Sequence, residues 1–282
     1  MSTLEKKIDF VAFVSVTMAN GNGDPLNGNR PRTDYNGFGE ISDVCIKRKI
    51  RNRMQDLGHK IFVQSEHRSD DGFGSLSERA SSALKNIKDR DVYAKTACET
   101  WMDVRTFGQV FAFKDTKGVS CGVRGPVSIH QAVSVSPVEI ESMQITKSVN
   151  GEKKDKGESI ASDRMGMKHF VRFGLYKIKG SINTQLAEKT GFSYEDAQVV
   201  KECLQTLFAN DASAARPDGS MEVVKLYWFE HNSKDGQYSS AKIHRSVSAV
   251  LKPDVMIPSR IEDYDFSVEP LEGLQPEVIN GI

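Results

Sequence analysis

The most restrictive stretch of the chain is residues 8–17, "IDFVAFVSVT". Ile8, Phe10, Ala12, Val14 and Val16 recur at every second position, the period of a β-strand with one buried face. Val11 and Phe13 are apolar too, so part of the other face is expected to be covered. With 282 residues and 38% hydrophobic content, the chain has enough apolar material for a real core, as one large domain or two smaller ones.

A loop rich in glycine, asparagine, proline and aspartate follows over 19–40. Loops of this length are uncommon in compact domains unless they have a function or are disordered. "GNG" begins a dinucleotide-type pattern, but Leu26 stands where the third glycine belongs, and no GK[ST] follows. Asp24 and the asparagines do not keep EF-hand spacing. What remains is a run of backbone amides unobstructed by side chains, together with Asn20, Asn22, Arg30 and Arg32. Such a loop can lie close to phosphates and sugars.

A basic helix comes directly after it. Ser42 offers an N-cap and Asp43 suits the first turn. Ile46, Ile50, Met54 and Leu57 form an apolar stripe, while Lys47, Arg48, Lys49, Arg51 and Arg53 take the remaining arc. No acidic residue lies between Asp43 and Asp56. Like charges this close repel, so compensation by a bound anion is expected.

Further along, "KIFVQ" (60–64) reads as a strand, and 65–98 as a polar insertion with a short helix. Residues 100–113 mix a helical turn with a strand, and 125–135 read as a strand. An exposed arm is expected over 137–163, a strand over 165–182, a helix over 193–211 opening on a Ser193/Asp196 capping box, and a strand over 221–231. From Ile261 onward the chain has six acidic residues and no basic one. Two helices among several strands suggest a ferredoxin-like α+β core with large insertions, the sheet that is also the platform of the RRM.

A second basic cluster lies in "RMGMKHFVRFGLYKIKG", where Arg164, Lys168, Arg172, Lys177 and Lys179 alternate with methionines and aromatics. Cations of this kind track a phosphate backbone while flexible apolar side chains stack on bases or wedge between them. The formal net charge is zero, so a polyanion site has to come from such local clusters rather than from a global field. No GxSxG, HExxH or Cys–His pattern is present, and His67, His130, His169, His231 and His244 are isolated in sequence. The four cysteines form no CxxC pair and fit reduced core thiols. The charged N-terminus and the lack of a long apolar run point to a cytoplasmic protein with no membrane partner.

Several blocks in order resemble a known family: "NGNGDPLNGNRPRTD", "GEISDVCIKRKIRN", "WMDVRTFG", "VRGPVSIHQAVSVSPVEI", "RMGMKHFVRFGLYKIKGSIN" and "LFANDASAARP…LYWFEHNSKDG". They are similar to the crRNA-binding backbone subunit of the type I-C CRISPR surveillance complex (Cascade), in the Cas-seven branch of the RAMP superfamily. The resemblance implies a single RRM-like palm with finger-like insertions and a protruding thumb hairpin. It places the finger at about 65–98, the thumb at about 137–168 and an acidic C-terminal tail at about 261–282. It implies sequence-independent binding of crRNA, head-to-tail assembly with copies of itself, contacts with other Cascade subunits, and target DNA reached by way of the guide. Carried onto this chain, the RNA-binding residues would be Asn20, Asn22, Arg30, Arg32, Lys47, Arg48, Arg51, Arg105, Phe107, Gly108, Arg124, Arg164, Met165, Lys168 and His169, with Met165 or Met167 as a wedge. No catalytic residue, metal or cofactor is expected. The competing reading is a metal-dependent ribonuclease of the same superfamily, for which Asp24 or Asp34 would be the nearest candidates.

Overall fold

The computed structural model describes residues 2–113, 120–146 and 165–281. The chain begins with β1 (Ile8–Ala19). The loop after it folds through β2 (Gly23–Asp24), β3 (Arg30–Pro31) and β4 (Phe38–Ile41) into α1 (Asp43–Asp56). The insertion holds α2 (Leu76–Leu84), α3 (Arg90–Thr100), α4 (Met102–Phe107), β5 (Gly108–Phe111) and β6 (Cys121–Arg124). Next come β7 (Val127–Ile129), β8 (Ala132–Pro137), β9 (Ile140–Thr146) and β10 (Met165–Ile182). They lead to α5 (Thr184–Thr190), α6 (Tyr194–Gln205) and β11 (Met221–Glu230). The last elements are α7 (Ser240–Ser246), β12 (Val247–Leu251), β13 (Tyr264–Val268) and β14 (Glu277–Asn280).

The result is a mixed α/β fold around a large antiparallel sheet ordered β14-β11-β1-β10-β8-β4, with β7 and β9 also paired to β10. β1 lies inside it, between β10 and β11. Its two faces behave as the alternation requires. Ile8, Phe10, Ala12, Val14 and Val16 enter one core with Ile46, Ile50 and Met54 of α1 and Ala197, Val200 and Leu204 of α6. Val11 and Phe13 enter a second core with Ile243 of α7, Val247 of β12 and Tyr264 of β13. Phe13 meets the rings of Tyr227 and Phe266 nearly edge-on. A third, smaller core belongs to the insertion, where Phe62, Tyr93, Trp101 and Phe111 pack together.

Local signals place several elements. Ser42 Oγ accepts from Cys45 N at the start of α1. Ser193 and Asp196 form the reciprocal capping box of α6.

Other expectations need correction. "KIFVQ" is not a strand: the amides of Phe62 and Val63 donate to the Asp103 carboxylate (2.7 and 3.0 Å), so a side chain takes the bonds that a sheet neighbour would have made. The 125–135 strand breaks between β7 and β8, where His130 N donates to Lys179 O. The insertion holds two full helices, α2 and α3, rather than one short one. The acidic C-terminal segment is not a free tail within its described part. β14 pairs with β11, β13 pairs with β12, and Glu277 reaches Lys201 at 2.8 Å. No helix among the described residues is long and apolar enough to cross a membrane.

The two cores can be tested separately. Phe10→Ala and Phe13→Ala are each expected to cost about 3–5 kcal/mol, measured as a loss of urea midpoint at constant slope. A Phe13→Ala protein as stable as the parent would mean that the α7 face is not tightly packed.

Candidate nucleic-acid interface

The loop between β1 and α1 is held in place by its own amides. Asn20 Nδ2 donates to Asn29 O (2.7 Å), and Asn22 Oδ1 accepts from Ser42 N (2.9 Å), which fastens the loop to the start of α1. Asn20 Oδ1 and Arg32 Nε are buried with no hydrogen-bond partner. Unpaired buried polar groups are uncommon and cost about 1–3 kcal/mol each. Asp24 and Asp34 act locally. Asp24 accepts from Leu26 N and pairs with Arg32 (3.4 Å), and Asp34 accepts from Asn36 N and Phe38 N. No group of three or more metal-ligating side chains is found among the described residues.

Arg30 leaves the loop for the β9–β10 ribbon. It donates to Ser142 Oγ (2.8 Å) and to His169 Nδ1 (3.2 Å), and His169 Nδ1 lies 2.9 Å from the same hydroxyl. In the ribbon, Met165 is paired with Thr146, Met167 with Gln144 and His169 with Ser142. The side-chain period of two therefore sets Met165, Met167 and His169 on one face with Arg30. Lys168, opposite Met143, is on the other. Both methionines are exposed. Of the arm expected at about 137–168, residues 147–164 lie outside the described residues, and Arg164 with them.

The basic helix is less free than its sequence suggests. Lys49 is only 4% exposed and is ion-paired with Asp211, which Arg216 also reaches at 3.2 Å. Arg51 Nε donates to the buried Asp103 (3.0 Å), and its guanidinium lies over the Phe107 ring at 4.9 Å. Arg48 donates to Val63 O (2.6 Å), and Arg53 to Thr206 Oγ1 (2.7 Å). Lys47 pairs with Asp43 at 2.9 Å, one turn back. Lys47, Lys49 and Arg51 thus have carboxylates of the chain itself as partners, while Arg48 is bonded to a carbonyl. Burial pulls Lys49 below the ordinary lysine range, and burial and then Arg51 do the same to Arg48.

A second group surrounds the end of α4. Arg105 turns inward, gripping Asp196 with two bonds (3.0 and 2.8 Å). Gly108 is paired with Arg124 across β5 and β6. It has φ +81°, and a Cβ there would come within 2.3 Å of Val123 O. Arg124 is exposed. From Ser42 to Arg51 is about 14 Å of helix, so α1 spans the distance between the loop and this second group. Two partnerships were not legible in the sequence. Ser142 had no motif to mark it. Asp103 stands out, beside Asp24 and Asp34, only as a carboxylate that could hold Mg²⁺, and nothing linked it to Arg51, Phe62 and Val63.

Four of the five histidines isolated in sequence have side-chain partners among the described residues: His169 as above, His130 and His244 with each other, and His231. His231 Nε2 meets the buried Asp9 at 2.8 Å, and Lys7 reaches the same carboxylate at 3.0 Å. Burial alone would raise Asp9, but bonds from His231, Ser240 and Lys7 outweigh it and hold the carboxyl below its usual range. The cysteines are free; burial lifts Cys98 to about 11 and raises Cys203 as well, so neither is a reactive thiolate.

The chain matches the family model described as CRISPR-associated protein Cas7 over residues 6–269. A CRISPR-associated protein Cas7 of Haloferax volcanii is 28% identical over 223 residues, covering 70% of this chain and 62% of that relative. The match therefore spans less than two thirds of the relative's length. In fold, the chain is similar to a chain of a solved CRISPR RNA-guided surveillance complex (pre-nicking), with a TM-score of 0.52 at 17% identity, covering 88% of this chain and 83% of the other.

Arg51→Glu would set a second carboxylate against Asp103 and is expected to cost at least about 3 kcal/mol in urea denaturation. Arg30→Ala, which gives up bonds to an exposed hydroxyl and an imidazole, should stay within about 0.5 kcal/mol of the parent. Equal stabilities for the two variants would contradict the division into anchored and free cations.

Proposed function

This chain belongs to the CRISPR-associated Cas7 family, and from that premise we propose that it is a non-catalytic scaffold of a type I-C surveillance complex, binding the guide portion of crRNA without reading its sequence. Its partners are the crRNA, other Cascade subunits, further copies of itself head to tail, and target DNA through the guide. The sheet order and the placing of α1 and α6 on one face support an RRM-like palm. The β9–β10 ribbon supports the reading of 137–168 as a thumb.

The observation that carries the proposal is the face shared by Arg30, Ser142, His169, Met165 and Met167, next to a loop whose buried Asn20 Oδ1 and Arg32 Nε have no partner. A guanidinium, an imidazole and a hydroxyl can hold phosphate and ribose, and a flexible thioether can wedge between bases whatever their identity. Asn22, Phe107, Gly108 and Arg124 would extend this contact. Lys47, Arg48, Arg51 and Arg105 would take part chiefly by shaping it, because their bonds run inward. Arg164 and Lys168 would contribute from the arm.

Co-expressed with a matching CRISPR array, the protein is expected to purify with RNA. Arg30→Glu combined with His169→Ala should bring A260/A280 down toward that of bare protein, with the urea midpoint unchanged. RNA retention equal to that of the parent would remove this face from the site.

A further inference from the structure

β10 carries two lysines that the RNA face does not use. Lys177 and Lys179 lie on the α7 side of the sheet, since Tyr176 and Ile178 belong to the opposite core. They are about 6–7 Å apart along the strand, close to the step between successive phosphates of an extended nucleic-acid strand. Lys177 Nζ donates to the carbonyls of His244 (2.7 Å) and Val247. Neither the Lys179 nor the Arg245 side chain has a hydrogen bond or ion pair among the described residues, in contrast to the anchored cations of α1.

These side chains border an open groove of about 840 Å³ that also takes in His130, His244 and Ser240. Glu269 is the one carboxylate among its described lining residues. A smaller hollow of about 270 Å³ shares Lys177, Lys179 and Ser248 and continues it beside β8. His130 is exposed, and its ring meets that of the buried His244 edge-on at 5.5 Å. Burial, and then the neighbouring Lys179, pull Lys177 down to about 8. Positive charge is crowded here, with three cations to one carboxylate among the described lining residues.

We propose that this groove is a second binding site, for the phosphodiester backbone of a single nucleic-acid strand, separate from the guide face. Separation follows from distance: Lys177 is about 25 Å along β10 from His169. Cations set beside hydroxyls and imidazoles suit a sugar–phosphate chain read without regard to bases. Of the six C-terminal carboxylates that an acidic segment of another copy could supply, Asp263 is already held within its own chain by Arg260 and the amides of Ser259 and Arg260, and Glu277 by Lys201.

The test uses the RNA-loaded assembly from co-expression, titrated with labelled oligo-dT and oligo-U. The double variant Lys179→Ala, Arg245→Ala removes only side chains with no internal partner, so its urea midpoint should match the parent. Its A260/A280 should be unchanged, because the guide face is intact. Its affinity for the probe should fall by about tenfold, and the slope of log K against log salt should shrink by about 1.4, or 0.7 for each lost phosphate contact. A fall for oligo-dT alone identifies DNA as the occupant, and a fall for oligo-U alone identifies RNA. Parental affinity and slope would overturn the proposal, as would loss of the guide together with the probe, which would mean one site rather than two. Unaltered probe binding with weakened self-association would overturn it in favour of a protein contact. Whether the Arg30→Glu, His169→Ala protein keeps its guide bears on the guide face alone, so the two readings fail independently.

Discussion

A helix with five cations in seven residues can rest against an apolar sheet only if negative charge is supplied where it is buried. Here the supply comes from far along the chain. Asp103 reaches Arg51 from α4, and Asp211 reaches Lys49 from the turn after α6. Asp103 also accepts two backbone amides, those of Phe62 and Val63. One carboxylate thereby fixes the helix, the start of the insertion and the approach to α4. Removing it would leave a guanidinium and two amides buried without partners. The zero net charge of the chain partly reflects this internal neutralisation.

Once α1 is neutralised from within, the location of available charge changes. Cations whose side chains are bound to no carboxylate among the described residues then include Arg30 beside the β9–β10 ribbon, Arg124 on β6, and Lys179 with Arg245 beside α7. The same carboxylates that cancel charge also set geometry: Asp196 caps α6 and clamps Arg105, which joins the insertion to the main sheet.

The features legible in the sequence were those set by neighbours in the chain. The alternation of Ile8–Val16, with Val11 and Phe13 opposing it, gave both cores of the sheet. The Ser193/Asp196 box and the stripe of Ile46, Ile50 and Met54 gave the helices, because capping and periodicity are local. What stayed hidden depended on distant partners. The amides of "KIFVQ" are taken by a side chain some 40 residues on, and a strand-like composition cannot reveal that. The acidic C-terminal stretch looked like a tail because its pairing partners, β11 and β12, are set by the tertiary fold. In the site, Arg30 and His169 were picked out individually, but Ser142, which joins them, was not.

β10 runs unbroken for 18 residues, about 60 Å at 3.3 Å per residue, from the methionine ribbon to the lysine pair. From Phe173 to Ile182 its faces alternate by parity. Adding or losing a single residue in its middle would turn Lys177 and Lys179 into the apolar core and push Tyr176 and Ile178 out of it. Sequence drift along this strand is therefore confined to substitution: descendants can exchange its side chains but not its length, whereas the loops at either end are free of that arithmetic.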